Sequence, residues 1–346
     1  MQWPGRMVLT AAALATAGCG GDGGAPAKAV LLADAAVAPV PTVLPTSTIA
    51  ALRAPLPLST DRALPLPLRG VTADSVADVP NLVAALRAHH AVPTVRIVMD
   101  PDRVPADYAP AIDRIRPQAY VMAQLLDSTA MAAFTTAQVR QRARDFTQAL
   151  AGRVDLWEVG NELNGAWVGR DPAEINAKAL AAWQVVAGER HLRTAITLNY
   201  WSGPDCYEKP WEPTLTFARG MPAQLRGGVD YVFLSIYETA CDPVQQPSSA
   251  KLAAALVALG RIFPKARLGI GEIGAQGKAD GLPADPTLAE KQRIARRYYG
   301  MQADLATRVG PRFVGGYFWW YYAEDAVPRL RKESLWPLLD ELFIGL

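Results

Sequence analysis

The chain has 346 residues, half of them apolar and a fifth charged, so it can bury a substantial core. Lys+Arg 35 against Asp+Glu 33 leaves a net charge of +2 with no long run of one sign, which argues against a nucleic-acid partner. Its three histidines, His89, His90 and His191, are too few and too badly spaced for a zinc hydrolase cluster, and neither a metal nor an organic cofactor is expected.

Residues 1–18 read as an export signal. Arg6 is followed by an apolar run, Met7–Ala17, of signal-peptide length and too short to cross a bilayer of ~30 Å as a helix. Thr16-Ala17-Gly18-Cys19, followed by a Gly-rich tract, resembles a bacterial lipoprotein signal, with Thr16 where Leu is more common. That resemblance implies lipidation of Cys19 and membrane contact through the lipid alone; the alternative is a plain secretory signal cut near Ala17. Residues 19–65 are Ala- and Pro-rich, with Pro39, Pro41, Pro45, Pro55, Pro57 and Pro65 blocking helices. They read as a tether whose last part forms an N-terminal extension of the domain. With Cys19 set aside, Cys206 and Cys241 form an even pair in a compartment where disulfides persist; two free thiols are the alternative.

From residue 66 to 346 short apolar strands alternate with longer amphipathic stretches, the pattern of a parallel α/β fold. Strands are predicted at 66–72, 94–99, 119–126, 155–159, 194–198, 231–236, 267–271 and 314–319. Helices are predicted at 81–90, 136–152, 173–190, 250–262, 287–308 and 333–343. Eight strands over about 280 residues fit a single-domain (β/α)8 TIM barrel. No G-x-G-x-x-G opens a helix, which disfavours a doubly wound open sheet.

In such a barrel chemistry gathers at the C-terminal strand ends. Strand two carries Arg96 and ends at Asp100; strand four ends in Asn161-Glu162, strand six in Ser235-Ile236-Tyr237, strand seven in Gly271-Glu272 and strand eight in Trp319-Trp320. Two carboxylates, an amide, an arginine and several aromatics facing one cleft suit a sugar. Glycosidic cleavage needs a proton donor and an anion on either side of an oxocarbenium-like centre, and Glu162 and Glu272 are placed to supply them.

Trp157-Glu158-Val159-Gly160-Asn161-Glu162 resembles the strand-four signature of the large clan of retaining (β/α)8 glycoside hydrolases that includes the cellulase-like families. Gly269-Ile270-Gly271-Glu272-Ile273-Gly274 resembles the same clan's strand-seven motif. The resemblance implies that Glu162 is the general acid/base and Glu272 the nucleophile. It implies further that Asn161 binds a sugar hydroxyl, that Arg96 and Tyr237 orient Glu272, and that Trp319 or Trp320 floors the subsite. The implied partner is a β-linked poly- or oligosaccharide. A catalytically inactive glycan-binding surface protein and a transglycosylase are the alternatives.

Other residues carry blander expectations. Glu158, sharing strand parity with Glu162, reads as a structural ion pair lower in the barrel, and Trp157 as core. Asp100 either binds a hydroxyl or ends its strand, and Glu238 sits on the rim. Trp201, Trp167 and Trp211 are candidates for outer subsites.

Overall fold

The computed structural model describes residues 53–346 save 60 and 202, so the expected signal, Cys19 and most of the expected tether lie outside the described residues. Eight parallel strands close on themselves in chain order: β1 Leu68–Ala73, β2 Thr94–Val98, β3 Tyr120–Gln124, β4 Leu156–Gly160, β5 Thr194–Asn199, β6 Tyr231–Ile236, β7 Arg267–Ile273 and β8 Phe313–Trp319. β1 pairs with both β2 and β8, which closes the (β/α)8 barrel.

Strand parity divides the apolar residues into two layers. Leu68, Met122, Leu156, Ala195, Tyr231, Phe233, Val314 and Phe318 fill the barrel interior. Their alternates, such as Val95, Ile97, Trp157, Ile196 and Ile270, pack outward against the helices. Burying both faces explains why the strands read as continuous apolar runs.

Among the differences from expectation in the helices, two are instructive. The stretch expected as one helix from 287 to 308 is two, Leu288–Tyr299 and Gln302–Val309, separated at Gly300. Tyr299 ends the first helix fully buried, with its hydroxyl donating to the Tyr317 carbonyl at 2.6 Å, so the chain turns where this anchor docks. A further helix, Pro105–Ile115, follows β2; its internal Pro110 hid it from a reading of propensity.

The described part of the N-terminal extension packs on the domain. The buried Arg62 donates from Nε to Asp155 Oδ1 at 2.8 Å and from Nη1 to the Arg116 carbonyl at 2.8 Å. Leu64 packs against the inner cluster. Removing either partner of the buried Arg62–Asp155 pair is expected to cost about 3–5 kcal/mol.

Candidate active site

Three backbone irregularities set the site. On β7, Leu234 pairs with Ile270 but Ser235 pairs with Glu272, so one extra residue is accommodated at Gly271. This β-bulge carries Glu272 to the inward face beside Ser235. A Cβ at Gly271 would lie 2.6 Å from Phe233 Cβ, so the bulge and the aromatic beneath it require glycine. On β8, Gly316 has φ +108° and an added Cβ would meet the Ile270 carbonyl oxygen at 2.2 Å. The wall bearing Glu272 therefore rests on backbone that no other residue can replace without displacement.

The third irregularity corrects the parity expected for β4. Glu158 pairs with Ala195 and Gly160 with Ile196, so the register shifts between them. Asn161, rather than Gly160, continues the inward face that Glu158 occupies. Glu162 reaches the cleft because its own backbone is left-handed, φ 47°. Such a conformation is uncommon for a non-glycine residue and marks a constrained position.

Around Glu272 the donors converge. Arg96 sends Nη2 to Oε1 at 2.8 Å and also donates there from Nη1; Asn161 Nδ2 donates to the same oxygen at 2.6 Å. Tyr237 donates its hydroxyl to Oε2 at 3.0 Å. Oε1 is thus saturated by N–H groups, and Oε2 is left with hydroxyl contacts.

Glu162 has a different environment. Ser235 Oγ lies 2.6 Å from its Oε1, and Ser128 Oγ lies 3.2 Å from its Oε2. Ser128 in turn accepts from Trp167 Nε1 at 3.2 Å. Ser235 Oγ is also 3.4 Å from Glu272 Oε2. The two carboxyl oxygens that share this hydroxyl are therefore within about 6 Å of each other, the limit set by those two distances.

Arg96 also faces Glu158 Oε2 at 3.4 Å, and Thr197 donates its hydroxyl to Glu158, so Glu158 forms an ion pair deeper in the barrel. One guanidinium thus faces a cluster of three carboxyls. Burial pushes the carboxyl of Glu162 up to about 7, opposed by the Ser235 hydroxyl and reinforced by Asp127. Burial also lifts Glu272 well above the usual carboxylate range; Arg96 pulls it back, while Glu162 and Glu158 push it further. Both effects express one fact, that a buried carboxyl pair with a single shared cation retains a proton into the neutral range. Burial lowers the readiness of Arg96 to hold its charge, but Glu158 and Glu272 more than offset this.

Trp320 is half-buried, with the Arg96 guanidinium carbon 5.3 Å from its ring centroid, so its ring stands beside the carboxyl cluster. Trp319 does not: it is fully buried on the outward parity and donates Nε1 to Asp325 Oδ2 at 2.9 Å. Trp201 is 9% exposed and packs with Cys206 and Cys241, its ring 6.0 Å from that of Trp167 and edge-on to it. It backs the wall behind Trp167 rather than offering an open face. Cys206 and Cys241 are joined in a disulfide, which pins the loops after β5 and β6 over this ring. Trp211 packs beside Phe217 on the outer core. Asp100 is held by the Tyr108 hydroxyl at 3.1 Å as β2 ends, and the buried Glu238 pairs with Arg293 at 2.7 Å.

Ser128 is not named in the sequence reading, and Ser235 is named there at the end of strand six without a role. Ser235 had a visible signal, since it continues the inward parity of Tyr231 and Phe233 at the mouth. Ser128 had none, because it sits in a short helix, Ser128–Met131, capped by Asp127. Among the described residues no group of His, Cys, Asp and Glu can hold a metal ion, and no helix is long and apolar enough to cross a membrane.

No protein-family model and no curated protein matches the chain. Among solved structures it is similar to a mutant glycoside hydrolase family 5 enzyme from Prevotella bryantii B14 in complex with a xyloglucan tetradecasaccharide. That match has 13% identity and a TM-score of 0.50, covering 85% of this chain and 98% of the other. It is also similar to a thermostable mutant of a xylanase from Cellvibrio japonicus, at 14% identity and a TM-score of 0.50 over 82% of this chain and 99% of the other. Against β-glucuronidase 2 of Bacteroides uniformis, a mutant form, identity is 13% and the TM-score 0.49; 74% of this chain is covered but only 31% of that longer one. At these identities the likeness to the first two supports the (β/α)8 fold alone.

Proposed function

We propose that this chain is a retaining glycoside hydrolase acting on β-linked glycans, with Glu162 as general acid/base and Glu272 as nucleophile. The observation that carries the reading is the pair of inward carboxyls bridged by one hydroxyl, with oxygens within about 6 Å. Retaining sites hold their carboxyls ~5–5.5 Å apart, whereas an inverting site needs ~6.5–9.5 Å to admit a water.

The environments support this division of roles. Glu272 is the anion, because Arg96 and Asn161 meet its Oε1 with N–H groups that can only donate. Glu162 touches hydroxyls, which accept from a carboxylic acid as readily as they donate to a carboxylate. The retained proton therefore resides on Glu162. In the first step Glu272 Oε2, the less encumbered oxygen, attacks the anomeric carbon as Glu162 protonates the departing glycosidic oxygen. In the second, Glu162 takes a proton from water, which attacks the glycosyl ester and releases Glu272.

Trp320 floors the subsite where cleavage occurs, and Trp167, on the Glu162 side, faces the leaving sugar. Asn161 is committed to Glu272 in the free protein and is close enough to meet a sugar hydroxyl beside it. Fold likeness to a xylanase and to a xyloglucan-bound enzyme supports a β-linked glycan as substrate. The N-terminal sequence supports export with lipid attachment at Cys19, or secretion if the signal is cut near Ala17.

The test is incubation with β-glucans, mannans, xylans and galactans beside Glu162→Ala and Glu272→Ala variants, with products read by mass spectrometry. Cleavage by the parent alone supports the reading. Binding of an oligosaccharide with no product would favour an inactive glycan binder, and products longer than the substrate would favour transfer to a sugar acceptor.

A further inference from the structure

We propose that Ser235 is a positioning residue that bridges the two carboxyls and fixes the transferable proton of Glu162 on Oε1. The inference rests on the reading of Glu162 as acid/base and Glu272 as nucleophile. Ser235 stands at the layer where the barrel interior turns polar: Tyr231 and Phe233, the preceding inward residues of β6, are aromatic. Its register partner across the bulge is Glu272.

The hydrogen-bond inventory fixes the direction of each contact. Trp167 Nε1 can only donate, so Ser128 Oγ accepts from it and turns its own hydrogen to Glu162 Oε2. With Oε2 accepting, the proton of the neutral acid sits on Oε1, and its contact is Ser235 Oγ at 2.6 Å. Ser235 has one hydrogen. While Glu162 is protonated, Ser235 accepts from Oε1 and sends that hydrogen to Glu272 Oε2, 3.4 Å away. Once Glu162 has given up its proton, the same hydroxyl rotates and donates to Oε1. No proton is gained or lost at Ser235; a single hydroxyl rotor supports each carboxyl when it carries charge.

The charged and titratable groups around Glu162 are Arg96 from β2, Asp127 ahead of Ser128, Tyr237 just past β6 and Glu272 from β7. Those groups set the overall field. Ser235 supplies a local contact that follows the proton.

The experiment compares Ser235→Ala and Ser235→Thr with the parent. Glutamate carboxyl carbons are labelled with 13C and followed by NMR across pH, with Glu162→Gln assigning the resonance. Without the hydroxyl, ionised Glu162 loses a donor, so its midpoint should move upward from about 7 in Ser235→Ala and return in Ser235→Thr. Phenyl and 2,4-dinitrophenyl β-glucosides and β-cellobiosides supply the second readout. The phenyl leaving group needs the acid, so Ser235→Ala should lose at least about tenfold more kcat/KM on it than on the dinitrophenyl substrate. An unmoved titration with equal losses on both substrates would overturn the proposal. A shifted titration in a parent that cleaves neither aryl glycosides nor glycans would uphold the bridge and remove the hydrolase reading.

Discussion

Asn161 Nδ2 meets Glu272 Oε1 at 2.6 Å across the barrel mouth, although 111 residues separate them in the chain. Together with two N–H groups from Arg96, this contact saturates one carboxylate oxygen and leaves the other with hydroxyl contacts alone. Asn161 faces inward because β4 shifts register, and Glu272 because β7 bulges. The contact therefore reports on both irregularities at once.

Glu272→Gln keeps the size and the acceptor oxygen while removing the nucleophile. Turnover should fall by roughly 10⁴-fold or more, with the far-ultraviolet spectrum unchanged. Arg96→Met removes the cation that Glu272 and Glu158 share and should lower stability by about 3–5 kcal/mol in a denaturant titration. A parent-like midpoint in Arg96→Met would contradict the role given to that guanidinium.

Glu162 is lifted to about 7 mainly by burial, and as the acid it must be protonated. Activity should therefore decline as pH rises through about 7. The stability sign follows from the same shift. The folded protein binds a proton that the unfolded chain releases near pH 4.5, so this group's contribution is full below that pH and is lost as pH rises toward 7. Glu162→Gln should flatten that component of a stability profile measured between pH 4.5 and 8.

Gly271→Ala adds a methyl 2.6 Å from Phe233 Cβ, beneath the bulge that aims Glu272. Displacement of the strand should cost about 1–3 kcal/mol of stability and, through misplacement of the carboxylate, about 10²-fold in turnover. Circular dichroism melting with parallel assays separates the two effects. Turnover lost in proportion to unfolding alone would remove the aiming role.

Cys206 and Cys241 close a loop with a sequence separation of 35 over the Trp201 ring. Their joint replacement by serine should cost about 3–4 kcal/mol on the chain-entropy model. Release of the loops should also raise quenching of tryptophan fluorescence by acrylamide, since Trp201 is shielded beneath the bridge. An unchanged quenching curve would show that the loops hold without the bridge.

The barrel was legible in the sequence because burial on both faces leaves strands as apolar runs, each followed by an amphipathic or polar stretch. Arg96 within β2 and Glu162, Tyr237 and Glu272 past or at the ends of β4, β6 and β7 were legible too, through the resemblance that the motifs on strands four and seven carry. Parity was not. A one-residue bulge leaves no mark in composition, so Glu158 and Glu162 looked like alternates on one face, whereas Asn161 takes the inward place and Glu162 arrives through a left-handed backbone. The same blindness left Trp319 and Trp320 equivalent until the structure turned one outward to Asp325 and the other over Arg96. Ser128 was invisible because it stands in a short helix after β3 and reaches Glu162 only where the ends of the adjacent β3 and β4 meet.

The most direct test of the central claim is the anomeric configuration of the first product. A β-glycan or aryl β-glycoside cleaved by the protein is followed by proton NMR during the first minutes, before mutarotation. The paired carboxyls predict that the β anomer appears first and the α anomer grows in later. First appearance of the α anomer would mean direct attack by water, and the assignment of Glu272 as nucleophile would fall.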